Sequence, residues 1–331
     1  MHLSTHMLAF PASLRFPYSR VLLPRTRLAY IHLRNLLTDA KRDRAARISG
    51  YVAVSLPDEL VVLYLVGGEV ANATVRLAHS ARPVAIASAL ELVPHEPEYG
   101  EICFHEAEQE QLACMFATHA IPTEPWPAGM SPQDPAALFP YLMSTTFDGF
   151  VEIIANEGAN YLIFRNGAVV RAFLAMPGQG KLVDRVAQLF NREGRSSELR
   201  VARWGVPGPL PVQAAPALVQ AYRELASTLV RRLAEAGRAG APDLAERARQ
   251  TLVTTHPVLD CFAFDGRETS EPLSDTRGLT AGVAAWIREV MWTAADQEAA
   301  PPDALFRELT WDRRHMFQSA GLFDQMPWKV L

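Results

Sequence analysis

The sequence predicts an α+β protein: two tandem modules, each a helix with an antiparallel meander, followed by a mostly helical C-terminal domain. Three observations carry this. DGFVEIIANEGANYLIFRNGAVVRAFLA, from Asp148, re-runs the pattern of SGYVAVSLPDELVVLYLVGGEVANATV, from Ser49, at a constant offset of 99 residues without a gap. Asn166–Gly167 stands between two apolar runs, and Asn-Gly favours a tight hairpin turn because both central residues must take positive φ. Leu218, Tyr222, Leu225, Leu229 and Leu233 recur at three- and four-residue steps, the stripe of an amphipathic helix.

In the first module a leading helix is expected over Leu28–Asp43 and a strand over Tyr51–Ser55, turned back by Leu56-Pro57-Asp58-Glu59. The Leu63 run then meets Gly67–Gly68, a second turn. A helix over Pro83–Val93 and a strand over Glu101–Ala107 complete the unit. The second module repeats the plan. Its helix is Pro135–Thr145, its first strand Phe150–Ile154, and its turns Asn156-Glu157-Gly158 and Asn166–Gly167; a helix over Lys181–Phe190 and a strand over Glu198–Trp204 follow. Gly50, Leu63, Gly68, Val70 and Ala73 fall on Gly149, Leu162, Gly167, Val169 and Ala172. Such a unit is a sheet with helices on one face. The C-terminal third reads as helices over Ala217–Ala236, Pro242–Val253, Leu279–Thr293 and Pro302–Gln318, with a strand at Leu259–Phe264 between them.

Proline clusters set the boundaries, since proline supports neither a helix interior nor a sheet ladder. They give a first module over 1–118, a linker over 119–134, a second module over 135–205, a linker over 206–216 and the helical domain over 217–331. Half of the 331 residues are apolar, enough for real cores. A net charge of −4 supplies no drive toward nucleic acid or an anionic membrane surface. No stretch has the roughly 20 apolar residues of a membrane span. The first twenty residues, broken by Pro11, Arg15 and Pro17, read as a loose terminus rather than a leader peptide. Three cysteines without CxxC spacing suit buried thiols in a reducing cytoplasm.

YLIFRNGAVVRAFLA (Tyr161–Ala175) and, more faintly, LYLVGGEVANATV (Leu63–Val75) resemble the PatA amino-terminal domain family, a bacterial signalling module. The resemblance implies a non-enzymatic module accompanying response-regulator or gliding-type systems, and brings no catalytic residue with it.

No residue cluster makes a compelling catalytic constellation. PGQGKLVDR places Gly180–Lys181 where a phosphate-cradling loop would sit, but Ala175 replaces its first glycine and Leu182 its magnesium-binding hydroxyl, so it reads as a helix-capping loop. Cys103, His105 and Cys114 invite zinc without a fourth ligand at standard spacing. His256, Asp260 and Cys261 suggest a Cys–His nucleophile, yet LDCFAF buries the thiol in an apolar run. Lys41, Arg42, Arg44 and Arg47 cluster at the end of the first helix, where cations offset the helix dipole, or else grip an anion. The expected function is recognition without catalysis, cofactor or metal, toward another protein or a second copy. The alternative is a small anionic ligand held between the modules by Arg165 and Arg171, with Arg42, Arg44 and Arg47 as further ligand-binding candidates; the third is a Cys/His-dependent enzyme. In the C-terminal tail Phe323, Met326 and Trp328 are the candidate interaction residues, serving either as a partner's anchor or as a segment docked on its own domain.

Overall fold

The computed structural model describes residues 14–42, 48–77, 80–94, 99–176, 178–191, 199–237, 240–262, 270–295 and 302–328. The architecture is α+β with antiparallel sheets. Contacts divide the chain into two compact units, one comprising Met1–Val84 and Ala89–Leu210, the other Ala85–Ser88 and Pro211–Leu331.

The first unit opens with β1 (Arg20–Arg27), α1 (Leu33–Arg42) and the meander β2 (Gly50–Ser55), β3 (Glu59–Val66) and β4 (Glu69–Leu77). Then come β5 (Ala81–Val84), α2 (Ile86–Leu92), β6 (Glu101–Glu106) and α3 (Gln109–Ala120). A second set follows: α4 (Pro135–Ser144), β7 (Gly149–Ala155), β8 (Gly158–Arg165), β9 (Ala168–Phe173), α5 (Leu182–Phe190) and β10 (Arg200–Trp204). The sheets run β1-β6-β2-β3-β4-β5 and β10-β7-β8-β9.

The four shared strands match in register as well as order. Gly50 pairs with Leu65 and Gly149 with Phe164; Tyr51 pairs with His105 and Phe150 with Trp204. Both third strands enter through a bulge at the same place, Tyr64/Leu65 and Ile163/Phe164. The hairpin turns have positive φ throughout, 61° and 83° at Gly67–Gly68 and 50° and 76° at Asn166–Gly167. Each is tied to the chain before its meander by the same bond: the Gly68 N–H donates to Ile48 O at 2.7 Å and the Gly167 N–H to Phe147 O at 2.9 Å.

Strand alternation gives each sheet two apolar faces. Inner-face residues Tyr51, Val62 and Tyr64 of the first sheet and Phe150, Tyr161 and Ile163 of the second share one core with α3 (Leu112, Met115, Phe116). The outer faces are closed separately, by α1 and α2 over the first sheet and by α4 and α5 over the second. Both meanders therefore belong to one body with one central core.

Several local expectations change. The chain before Arg20 is not loose where it is described: Leu14 and Phe16 enter the central core, and Arg15 bridges Gly158. β1 tolerates Pro24 because it is an edge strand whose outer side needs no donor. The 119–134 segment is pinned within the first unit: Glu124 pairs with Arg203, and Trp126 Nε1 donates to Val201 O at 3.1 Å. Ala81–Val84 is strand rather than the start of a helix, since Pro83 lies on the edge strand opposite Thr74. Asp134 caps α4, its carboxylate accepting from the Ala136 N–H at 2.9 Å.

The second unit contains α6 (Pro216–Glu235), α7 (Ala241–Leu252), a 3-10 turn over Pro257–Cys261, α8 (Thr276–Ala295) and α9 (Pro302–Thr310). A 3-10 turn over Trp311–Arg313, α10 (Arg314–Ser319) and a turn over Phe323–Gln325 complete it. The α6 stripe packs on Leu279, Val283, Trp286, Ile287 and Val290 of α8. Trp286 Nε1 donates to Ala245 O at 2.9 Å, so this large ring is buried with its polar atom satisfied. The expected strand at Leu259–Phe264 is instead a 3-10 turn up to Cys261, with Leu259 directed into the core; Ala263 and Phe264 lie outside the described residues. The last expected helix breaks at Trp311 into two. Among the described residues no helix is long and apolar enough to cross a membrane.

Candidate functional site

The two sheets differ at one edge. In the first, β5 pairs antiparallel with β4; among the described residues nothing pairs with the outer edge of β9. The cause is local. Residues 81–84 form β5, whereas their counterparts 180–183 lead directly into α5, which begins at Leu182; α2 begins at Ile86. The second copy thus spends on an extra helical turn the residues that would have covered its sheet.

That substitution changes exposure. Val170 is 54% exposed where its counterpart Ala71 is 3% exposed, and Val183 is 77% exposed against 4% for Val84. Val169 is exposed beside it, and Met143 at the end of α4 lies next to the Asn166–Gly167 turn. An open edge carrying valines is uncommon, because unpaired strand N–H and C=O groups beside apolar side chains invite pairing with another chain.

Of the residues singled out for an anion, Arg171 is engaged within the chain. It pairs with Glu108 and with Glu110, the latter at 3.0 Å, and lies over the Phe173 ring. Two carboxylates leave it no charge to offer. Arg165 is exposed at the end of β8, and Arg42 is exposed at the end of α1. Arg44 and Arg47 lie outside the described residues. Arg165 and Arg171 sit on the second sheet, and the space between the sheets is filled by the central core.

The remaining candidates are placed as follows. Burial raises the Cys103 thiol and pushes Cys114 up to about 12, while His105, held neutral by burial at about 4, meets Tyr51 Oη through Nδ1 at 2.8 Å. Zinc ligation needs thiolates, and among the described residues no cluster of three His, Cys, Asp or Glu is disposed to hold a metal. Cys261 has its thiol raised by burial and faces Ser270 at 3.9 Å; among the described residues no hydrogen bond joins it to His256. Lys181 caps α5 without a side-chain bond. Met326 is buried in the helical unit's own core, with Phe323 and Trp328 packed against it.

Sequence reasoning passed over the polar groups of the central core. Glu152 and Tyr161 are cross-strand partners on β7 and β8, and His119 closes α3. Glu152 Oε1, Tyr161 Oη and His119 Nε2 are all buried without a hydrogen-bond partner. Burial raises the Glu152 carboxyl above the usual range, opposed by Arg76; burial holds His119 down at about 4. A single Glu inside the alternation of GFVEIIA was the available signal, because that position faces inward.

The sign of each follows from linkage. Glu152 keeps its proton in the fold above the pH where the unfolded chain releases it, so its contribution is present below pH 4.5 and lost as pH rises toward the folded value. His119 acts oppositely: stability falls as pH drops from 6.5 to about 4. Glu152→Gln is therefore expected to raise the melting temperature at about pH 8 and leave it nearly unchanged at about pH 4. A variant melting in parallel with the parent at both pH values would show that the carboxyl is not held protonated.

Comparison with protein-family models, curated proteins and solved structures finds no match.

Proposed function

We propose that this chain is a non-catalytic recognition protein whose partner adds an extended strand to the outer edge of β9. One observation carries the reading: the two meanders share strand order and register, yet among the described residues only the first has its third strand covered, and the uncovered one presents Val169 and Val170. Strand addition draws affinity from main-chain hydrogen bonds and selectivity from the side chains alternating along the edge. Repetition of the meander, with the edge-covering strand omitted once, is what a duplicated module adapted to an outside strand would look like. The resemblance of Tyr161–Ala175 to a bacterial signalling module supports a role for such recognition in a cytoplasmic signalling complex.

The test is purification of the native complex with the parent chain and with Val170→Lys. A lysine at an exposed edge position leaves the fold intact but opposes strand addition. The variant is expected to keep its melting temperature and lose the co-purifying protein, or its own dimer if the added strand comes from a second copy. Retention of the same complex by the variant would remove β9 from the interface.

A further inference from the structure

A groove opens on the helical unit. Its volume, about 800 Å³ between α6 and the segment from α9 to α10, is within the range of small-molecule sites. Ala221, Leu225 and Phe317 are apolar lining residues that also belong to the helical core. Two ion pairs span from one wall to the other: Glu224 of α6 with Arg313, and Arg232 of α6 with Glu308 of α9. Arg232 also meets Glu235 at 3.6 Å.

These pairs consume two of the four lining arginines and three of the four lining carboxylates. Arg231 and Arg307 remain, exposed and with no ion pair or hydrogen bond of the guanidinium among the described residues, together with Asp312. Trp311, which also lines the groove, is 65% exposed. Surface arginines commonly find a carboxylate when several lie this close. Here three of the acids pair with the other two arginines, and the groove keeps two unpaired guanidiniums against the single unpaired carboxylate of Asp312. An exposed indole lining the same groove offers a flat face on which a ring stacks.

We propose that the groove binds a small organic anion carrying an aromatic ring, with Arg231 and Arg307 holding the phosphate or carboxylate and Trp311 the ring. Guanidinium forks match the two oxygens of such a group, which a lysine pair would not. Asp312 accepts from a hydroxyl or amine on the ligand. The site is separate from the β9 edge and stands whether or not that edge binds a partner.

Calorimetric titration of the full chain with phenyl phosphate, inorganic phosphate and phenol tests this. Phenyl phosphate is expected to bind most tightly, inorganic phosphate weakly and phenol least. Joint replacement Arg231→Gln and Arg307→Gln should weaken phenyl phosphate by about tenfold or more without lowering the melting temperature. Trp311→Ala should bring phenyl phosphate down to the level of inorganic phosphate. No phenyl phosphate binding at about 10 mM would overturn the proposal. So would equal affinity for phenyl phosphate and inorganic phosphate, or undiminished binding by the double variant. If the double variant is unstable, the two lysine replacements, which keep the charge and lose the fork, serve in its place and should weaken binding less than glutamine does in any single position.

Discussion

Truncation after Gly321 is expected to lower the melting temperature of the helical unit by roughly 15 °C, corresponding to about 5 kcal/mol. The removed residues are structural. Leu322 is fully buried, Met326 is buried, and Phe323 and Trp328 pack edge-on against Phe306 at ring-centroid distances of 6.0 and 5.8 Å. Arg288 also donates to Gln325 O at 2.8 Å, and the deletion leaves that guanidinium without its acceptor. Each large side chain contributes roughly 1.5–3 kcal/mol through burial, and the cavity opened at Phe306 adds to the loss. Thermal unfolding followed by circular dichroism reads the change. An unchanged midpoint would mean that the tail does not dock and is free to anchor a partner.

The second large effect is expected at Gly167. Valine there is expected to cost about 3 kcal/mol or more, for two separable reasons. With φ at 76°, any side chain is strained, a β-branched one most. A Cβ would also stand 2.5 Å from Met143 Cα and 2.6 Å from Leu142 O, backbone atoms at the end of α4 that cannot swing aside. The first copy provides the control. Gly68 has the same conformation and the same obstruction, its Cβ position being 2.4 Å from Ala40 O at the end of α1; Gly67 shares the positive φ but has open space around it. Alanine at 67 should therefore be mild, and alanine at 68 or 167 severe. Equal costs at all three positions would show that helix contact contributes nothing and that conformation alone sets the penalty.

This contrast also marks how far the sequence could be read. Its offset of 99 residues, with Gly-Gly and Asn-Gly in equivalent places, was enough to expect two meanders with matching turns, because turn chemistry is local and φ > 0 selects the residue. The stripe on α6 was legible for the same kind of reason: period 3.6 is written in neighbouring residues. β5 was not, since Ala81–Val84 has no alternation strong enough to outweigh Pro83, and only β4 beside it makes those four residues a strand. The groove was equally hidden. Arg231 and Arg307 are separated by most of the helical unit's chain, and which carboxylates neutralise which arginines depends on helix packing.

By itself, then, the sequence determined the α+β class, the repeated meander, its turns and the amphipathic helices, all properties of side chains within a few residues of one another. Tertiary structure alone decided that both sheets bury their inner faces in one core, that Glu152 Oε1 and His119 Nε2 lie buried there without a hydrogen-bond partner, and that among the described residues nothing pairs with the outer edge of β9. It also decided that Arg171 is paired with two carboxylates while Arg231 and Arg307 form no ion pair among the described residues. The physical reason is the same in each case: burial, pairing and charge balance are set by residues far apart in the chain, whose proximity the packing of helices and sheets creates.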